Sequence, residues 1–93
     1  MKYLKVSWVH DLDDEPILLY SEIDSKGFEV RKIEIYRDGS FGLASLEKAF
    51  GGTQLSYERM PEIDEIRRDT QFLPLEITQF EFEEVWAEYD DFL

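Results

Sequence analysis

Residues 32–43 read KIEIYRDGSFGL, and this stretch predicts a β-hairpin more strongly than any other part of the chain. Asp-Gly is a preferred pair for a tight hairpin turn, because the central positions of that turn need a positive φ. On both sides of Asp38-Gly39 apolar residues alternate with polar ones, as in a strand with one buried face. The pattern therefore predicts two antiparallel strands, at about 28–37 and 40–45.

Two further strands are predicted upstream, at about 2–10 and 17–24, where apolar residues again alternate with polar ones. The acidic turn, residues 11–16 with the sequence DLDDEP, joins them. In the third strand the apolar positions change from even to odd numbers near Arg31–Lys32. Either both sheet faces are partly covered, or a bulge there resets the register. Short turns between all four strands predict an antiparallel meander.

The segment that follows the strands has a different pattern. Residues 45–58 contain Gly51-Gly52 and little periodicity, which predicts an irregular connection with one short helical turn at 46–50. A short helix at about 61–68 follows, since proline suits the first position of a helix. Pro74 is predicted to break the chain before the last element.

The clearest helix is predicted at about 79–90. Thr78 and Glu81 stand three residues apart, in the T-x-x-E pattern of a capping box. Apolar side chains at helical spacing form one stripe: Phe82, Val85, Trp86 and Tyr89. The sequence therefore predicts one α+β domain over residues 1–93, a four-stranded sheet with the short helix and the C-terminal helix packed on one face.

The charge of the chain restricts the classes of partner. Twenty-two acidic residues against ten basic ones give a formal net charge of −12. Direct binding to DNA or RNA is not expected, because its affinity comes largely from Lys and Arg that neutralise phosphates. The chain has no cysteine, no apolar run long enough for a membrane span and no signal-peptide pattern. We expect a cytoplasmic protein that binds neither nucleic acid nor membrane.

The acidic turn also resembles part of a calcium-binding loop. Asp11, Asp13 and Glu15 stand at positions 1, 3 and 5 of such a loop. Position 6 requires a glycine for a sharp turn, and the residue there is Pro16. A solvated acidic turn is the better interpretation, and no metal site is predicted.

Catalytic constellations are equally weak. His10 is the only histidine, and Asp11 beside it would point to the opposite face of a strand. No serine lies in a G-x-S-x-G elbow, and Gly51-Gly52-Thr53 lacks the lysine of a phosphate-binding loop. Trp8 and Trp86 are interpreted as core residues rather than ligand-stacking residues. The sequence predicts a protein that is not an enzyme and binds no cofactor.

The distribution of acids suggests a binding surface. No basic residue occurs after Gln71, and the acidic turn alone holds four acids in five residues. These two segments form either one surface for a basic protein or independent solvated faces. Charges interleaved on the strands, with two tyrosines, form either a recognition face or a solvated one. The predicted partner-binding residues are Asp11, Asp13, Asp14, Glu15, Tyr20, Glu22, Tyr36, Glu84, Glu88 and Asp91.

The chain resembles a family of small, uncharacterised bacterial domains. The pattern consists of an aromatic strand ending in W-x-H, an acidic D-E-P turn, a strand ending in Y-S-E, and a charged strand ending in D-G. The matching residues are Trp8, His10, Asp14, Glu15, Pro16, Tyr20, Ser21, Glu22, Phe28, Glu29, Arg31, Lys32, Glu34, Tyr36, Asp38 and Gly39. A GGT segment and a C-terminal F-x-x-VW extend the resemblance over nearly the whole chain.

Similar small bacterial proteins act as immunity proteins in contact-dependent or polymorphic toxin systems, where each neutralises a cognate toxin that is often a nuclease. The resemblance therefore implies a non-enzymatic inhibitor whose partner is a toxin protein domain. The sequence does not determine the oligomeric state, and a monomer is the favoured expectation. The alternatives are a general acidic module for protein interaction or regulation, with an unknown partner, and an enzyme that uses His10 with nearby acids.

Overall fold

Six antiparallel strands and two helices make up the fold, in a computed structural model that describes all 93 residues. Neighbouring strands follow the order β5-β4-β3-β2-β1-β6. Neither helix has the length and apolar character that crossing a membrane requires. The elements are β1 (Lys2–Trp8), β2 (Leu18–Ile23), β3 (Glu29–Ile35), β4 (Phe41–Ser45), β5 (Ala49–Phe50), α1 (Ile63–Arg67), β6 (Phe72–Ile77) and α2 (Gln79–Asp90).

The predicted α+β class and the antiparallel meander of β1 to β4 are confirmed, but the predicted number of strands is wrong. β6 was not predicted because Pro74 was taken as a chain break. Pro74 instead pairs with Val6 across the β1–β6 ladder. β6 lies at the edge of the sheet, where a residue without a backbone N–H is tolerated because one side of the strand has no ladder partner.

The segment after β4 forms a strand rather than the helical turn predicted at 46–50. Ser45 donates its backbone N–H to the Lys48 carbonyl, and the chain returns along β4 as the two-residue β5. Gly51 and Gly52 both have positive φ, 72° and 79°, which glycine adopts at low cost. They redirect the chain into residues 53–60, which we call the strap.

Both faces of the sheet are covered, each by a different part of the chain. On the helix face, α2 packs over a buried cluster of Tyr3, Tyr20, Ile33, Leu43, Ile77 and Phe82. On the strap face, the end of the strap and α1 pack over Leu4, Val6 and Ile23. The expectation that both helices lie on one face is therefore wrong.

A register shift in β3 explains the change of phase seen in the sequence. Glu22 pairs with Arg31, whereas the next residue, Ile23, pairs with Glu29, so Val30 is an extra residue in the ladder. Because side chains alternate along a strand, the extra residue places Glu29 and Arg31 on opposite faces. The two alternatives offered by the sequence therefore both hold, and the irregularity is at Val30, next to Arg31.

The predicted capping box of α2 is present. The Thr78 hydroxyl accepts a hydrogen bond from the Glu81 backbone N–H, and the Glu81 carboxylate accepts one from the Thr78 backbone N–H. Phe82 is fully buried, and Val85, Trp86 and Tyr89 pack against the helix-face cluster. This apolar stripe fixes which side of α2 faces solvent.

Candidate functional site

The acidic turn is held in shape by the ring of His10. Nε2 of the ring donates to the Pro16 carbonyl at 2.8 Å, and Nδ1 accepts the Leu12 backbone N–H at 2.9 Å. A carbonyl can only accept and an N–H can only donate, so this arrangement requires the tautomer protonated on Nε2. Both ring nitrogens of His10 are thus occupied by the backbone of the turn.

Contacts from other parts of the chain fix the turn further. The Arg37 guanidinium, from the β3–β4 hairpin, donates to the His10 carbonyl. Val9 donates its backbone N–H to the Gln71 carbonyl at 2.8 Å, next to β6. The turn is therefore anchored on two sides, although it has no regular secondary structure.

Four carboxylates project from this anchored turn. Asp11, Asp13 and Asp14 are exposed and Glu15 is half-buried. Arg37 forms an ion pair with one of them, with Nη1 3.9 Å from Asp13 Oδ1. No group of three or more His, Asp or Glu side chains in the chain converges to hold a metal ion. The turn presents charge outward.

The outer side of α2 presents a second set of acids. Glu84, Glu88 and Asp91 are exposed and form no ion pair, whereas Asp90 pairs with Lys48. Over the whole chain, seven of the 22 carboxylates form ion pairs: Asp13, Glu22, Glu29, Glu62, Asp64, Glu83 and Asp90. The other 15 carboxylates have no basic partner. The acidic surface is thus largely free of internal neutralisation.

Two residues predicted to bind a partner lie inside the protein. Tyr20 and Glu22 are buried on the helix face, so the expectation that they lie on a sheet face accessible to a partner is wrong. α2 covers that face. Tyr36 is half-buried, and burial together with the nearby carboxylates of Glu34 and Glu15 raises its pKa.

Arg31 neutralises two carboxylates under α2. Its guanidinium forms bidentate hydrogen bonds with Glu22, at 2.6 and 3.0 Å, and with Glu83 of α2, at 2.8 and 2.9 Å. The Arg31 hydrogen bonds lower the pKa of Glu22 and of Glu83. Burial raises the pKa of Tyr3, whose hydroxyl donates to Glu22 at 2.9 Å. The cluster ties β1, β2, β3 and α2 together.

The rings of α2 complete the surroundings of Arg31. The guanidinium carbon lies 4.9 Å from the Phe82 ring centroid and 5.1 Å from that of Trp86, within the range of cation–π attraction. The sequence showed charges interleaved on the strands and left open whether they form a recognition face or a solvated one. It did not connect Glu83 of α2 with these charges.

On the strap face, hydrogen bonds attach the strap to charged residues of β3. Thr53 Oγ1 donates to Glu34 at 2.7 Å, and the Ser56 backbone N–H donates to Glu29 at 2.9 Å. Lys32 Nζ pairs with Glu29 at 2.9 Å and donates to the carbonyl of strap residue Gln54 at 3.1 Å. The charged residues of this face therefore hold the strap.

A groove remains between the strap, α1 and the sheet. It encloses about 530 Å³ and is within the size range of ligand pockets. Glu29 and Lys32 lie in its lining already paired, and Ser21 donates to Glu29 at 3.2 Å. Its apolar lining consists of Val6, Leu19, Met60, Pro61, Ile66 and Phe72.

The outer residues that line the groove are mostly acidic. Glu58, Glu65 and Asp69 are exposed and form no ion pair, and the Arg59 guanidinium lies over the Phe28 ring, 5.6 Å from its centroid. The sequence could not reveal this groove, because its walls come from segments about 60 residues apart.

Comparison with known proteins identifies the family of the chain but finds no individual protein that matches it. A family described as "Domain of unknown function (DUF6881)" matches residues 2–91. No curated protein and no solved structure matches the chain significantly. The matched span includes the acidic turn, the strap, the groove and α2, so the chain belongs to this family of domains of unknown function.

Proposed function

We propose that this protein is a cytoplasmic, non-enzymatic, immunity-type inhibitor that binds and neutralises a cognate bacterial toxin domain of basic, nuclease-like character. The observation that supports this most directly is the set of 15 carboxylates without a basic partner, including Asp11, Asp14 and Glu15 on the anchored acidic turn. The charge is placed outward instead of being neutralised within the fold.

The electrostatics suit a basic partner. A net charge of −12 on 93 residues produces a field that accelerates encounter with a cationic surface and disfavours phosphate-bearing ligands. Nucleases bind the phosphate backbone through Lys and Arg, so an acidic protein can occupy the same surface. The resemblance to small bacterial domains, similar members of which act as immunity proteins, supports the same function.

The anchoring of the acidic turn lowers the cost of binding. A loop that becomes ordered on association loses conformational entropy, and that loss weakens affinity. The His10 ring and Arg37 already hold the turn in the free protein. The carboxylates of Asp11, Asp13 and Asp14 can therefore meet a partner with little reorganisation.

A second function is favoured by one apolar feature. Leu73, Leu75 and Phe80 are exposed at the open β6 edge and the start of α2. Exposed apolar groups in one region are typical of protein contacts that do not depend on charge. The alternative is thus a general protein-interaction or regulatory module, whose binding would change little with salt concentration.

The test is co-expression with the toxin domain encoded directly upstream, with growth and complex formation as readouts. We expect protection from the wild type and from the control E47Q/D64N/E76Q. The turn variant D11N/D13N/D14N removes the same number of charges and should bind about tenfold more slowly at low salt. Absence of both protection and binding for the wild type would refute the proposal. If both variants slow binding equally, the acidic turn is not part of the toxin-binding surface.

A further inference from the structure

We propose that the groove on the strap face is a pocket for one basic side chain, Arg or Lys, of a partner protein. The proposal deepens the proposed function, on which it rests for the basic character of the partner. The pocket has apolar walls, an acidic rim, and two basic residues that already contact other groups of the protein.

The apolar walls suit the stem of a long cationic side chain. Val6 and Leu19 come from the sheet, Met60 from the strap, Ile66 from α1 and Phe72 from β6. Lys and Arg bury their methylene stems against apolar surface while the charged group stays near water. A volume of about 530 Å³ leaves room for such a stem without rearrangement of the walls.

The rim supplies charges opposite to those of the ligand. Glu65 on α1 and Asp69 just after it are four residues apart, and Glu58 of the strap also lines the groove. All three are exposed and none forms an ion pair. One oxygen of Asp69 accepts the Gln71 backbone N–H at 3.0 Å, which orients that carboxylate and leaves its other oxygen free.

The basic residues of the groove do not cancel this charge. Lys32 is bound to Glu29 and to the Gln54 carbonyl, and Arg59 lies over Phe28. The lining therefore has four carboxylates against two cations, with one carboxylate already paired. An anionic or phosphate-bearing ligand would meet repulsion here, whereas a guanidinium or ammonium group would be attracted.

The test adds short peptides to the ¹⁵N-labelled full chain and monitors their binding by two-dimensional ¹H–¹⁵N NMR. The probes are acetyl-Gly-Arg-Gly-amide, its Lys counterpart, and a neutral peptide with citrulline in place of Arg. We expect shift changes confined to the groove lining, with a dissociation constant on the order of 1–10 mM for the two basic peptides. The citrulline peptide should bind several times more weakly.

Two variants of equal charge separate the groove from the general acidic field. E65Q/D69N should weaken peptide binding about three- to tenfold, because it removes two exposed charges that contact the ligand. E84Q/E88Q removes two charges from α2 and should change binding by less than about twofold. Unchanged spectral dispersion and urea midpoints show that both variants are folded.

Several results would overturn the groove proposal. These are no shift changes with either basic peptide, equal weakening in the two variants, or changes spread over the acidic turn and α2. Dilution that moves the same groove signals would identify a second copy of the chain as the occupant instead. Peptide binding without toxin binding would refute the proposed function alone. If E65Q/D69N binds the toxin as tightly as the wild type, and neither basic peptide causes shift changes, the groove proposal alone is refuted.

Discussion

The two faces of the sheet treat acidic residues in different ways. On the helix face, Arg31 joins Glu22 and Glu83 in bidentate pairs beneath α2, and the apolar cluster around Phe82 is closed to water. On the strap face, coverage is partial, and carboxylates at the groove rim have no basic partner. A carboxylate that the fold encloses is neutralised, and one that borders an opening is left available to a partner.

The difference follows from the two helices. α2 has twelve residues, a capping box and a broad apolar stripe, so it can close a sheet face. α1 has five residues, no side-chain cap and no buried residue. A helix this short gains little stability by itself and depends on packing against its neighbours. The strap face is therefore the less completely covered one.

The largest effect on this comparison is expected from Arg31→Met. The substitution leaves the buried Glu22 carboxylate with Tyr3 as its one remaining side-chain donor and removes the link to Glu83. Removing one partner of a buried ion pair costs about 3–5 kcal/mol. We expect the free energy of unfolding, measured by urea titration at pH 7, to fall by about 3 kcal/mol.

Arg37→Met is the matched control for that measurement. Arg37 is about half exposed and pairs with Asp13 at 3.9 Å. Exposed pairs contribute about 0–1 kcal/mol, so this variant should lose about 1 kcal/mol or less. If Arg31→Met costs no more than Arg37→Met, the guanidinium is not the element that closes the helix face.

A smaller and more local effect is expected from Thr53→Val. Thr53 is 1% exposed and donates to Glu34 at 2.7 Å, which holds the start of the strap. Valine preserves the shape but leaves the part-buried carboxylate without this donor, at a cost of about 1–3 kcal/mol. Hydrogen exchange should accelerate in residues 53–60 more than in α2.

Thr70→Val provides the same chemical change at an exposed position and should alter stability by less than about 0.5 kcal/mol. Exchange that accelerates equally in the strap and in α2 of Thr53→Val would show that the two faces open together. In that case the strap would not be a separate unit of local stability.

Local signals in the sequence predicted the fold well where partners are close along the chain. The Asp38-Gly39 hairpin joins β3 to β4 as expected, and Thr78 and Glu81 begin α2 as expected. β6 was missed because its strand character depends on β1, some 70 residues earlier, and on an edge position that tolerates Pro74. Sequence periodicity contains no information about such distant pairing.

The candidate sites show the same limit. The acidic turn was predicted as an exposed turn, since it is a continuous segment, and the exposed acids of α2 follow from the helical period. Tyr20 and Glu22 were misplaced because one extra residue at Val30 and the position of α2 decide which face is closed. The groove needs the strap, α1 and β6 at once, so no single segment could indicate it.

The smallest effect is expected from Glu83→Gln, which should change how the free energy of unfolding depends on pH. Arg31 lowers the pKa of Glu83 below its usual value of 4.5, so between the two pKa values the folded state binds fewer protons than the unfolded state. The stabilisation from Glu83 is therefore complete above about pH 4.5 and is lost as the pH falls through the folded-state pKa. The side chain is 44% exposed, which limits the effect to about 1 kcal/mol.

Glu84→Gln separates this pairing from the general consequence of removing one charge from a protein of net charge −12. Glu84 is exposed and unpaired on the next position of α2, so both variants relieve the same overall repulsion. Urea unfolding at pH 7 should show Glu83→Gln less stable than Glu84→Gln by up to about 1 kcal/mol. The two should converge as the pH falls through the folded-state pKa of Glu83, because the Glu83 carboxyl that Glu84→Gln retains then loses its charge. A difference that stays constant from pH 7 to pH 3 would mean that Glu83 stabilises the helix face by packing and not by its charge.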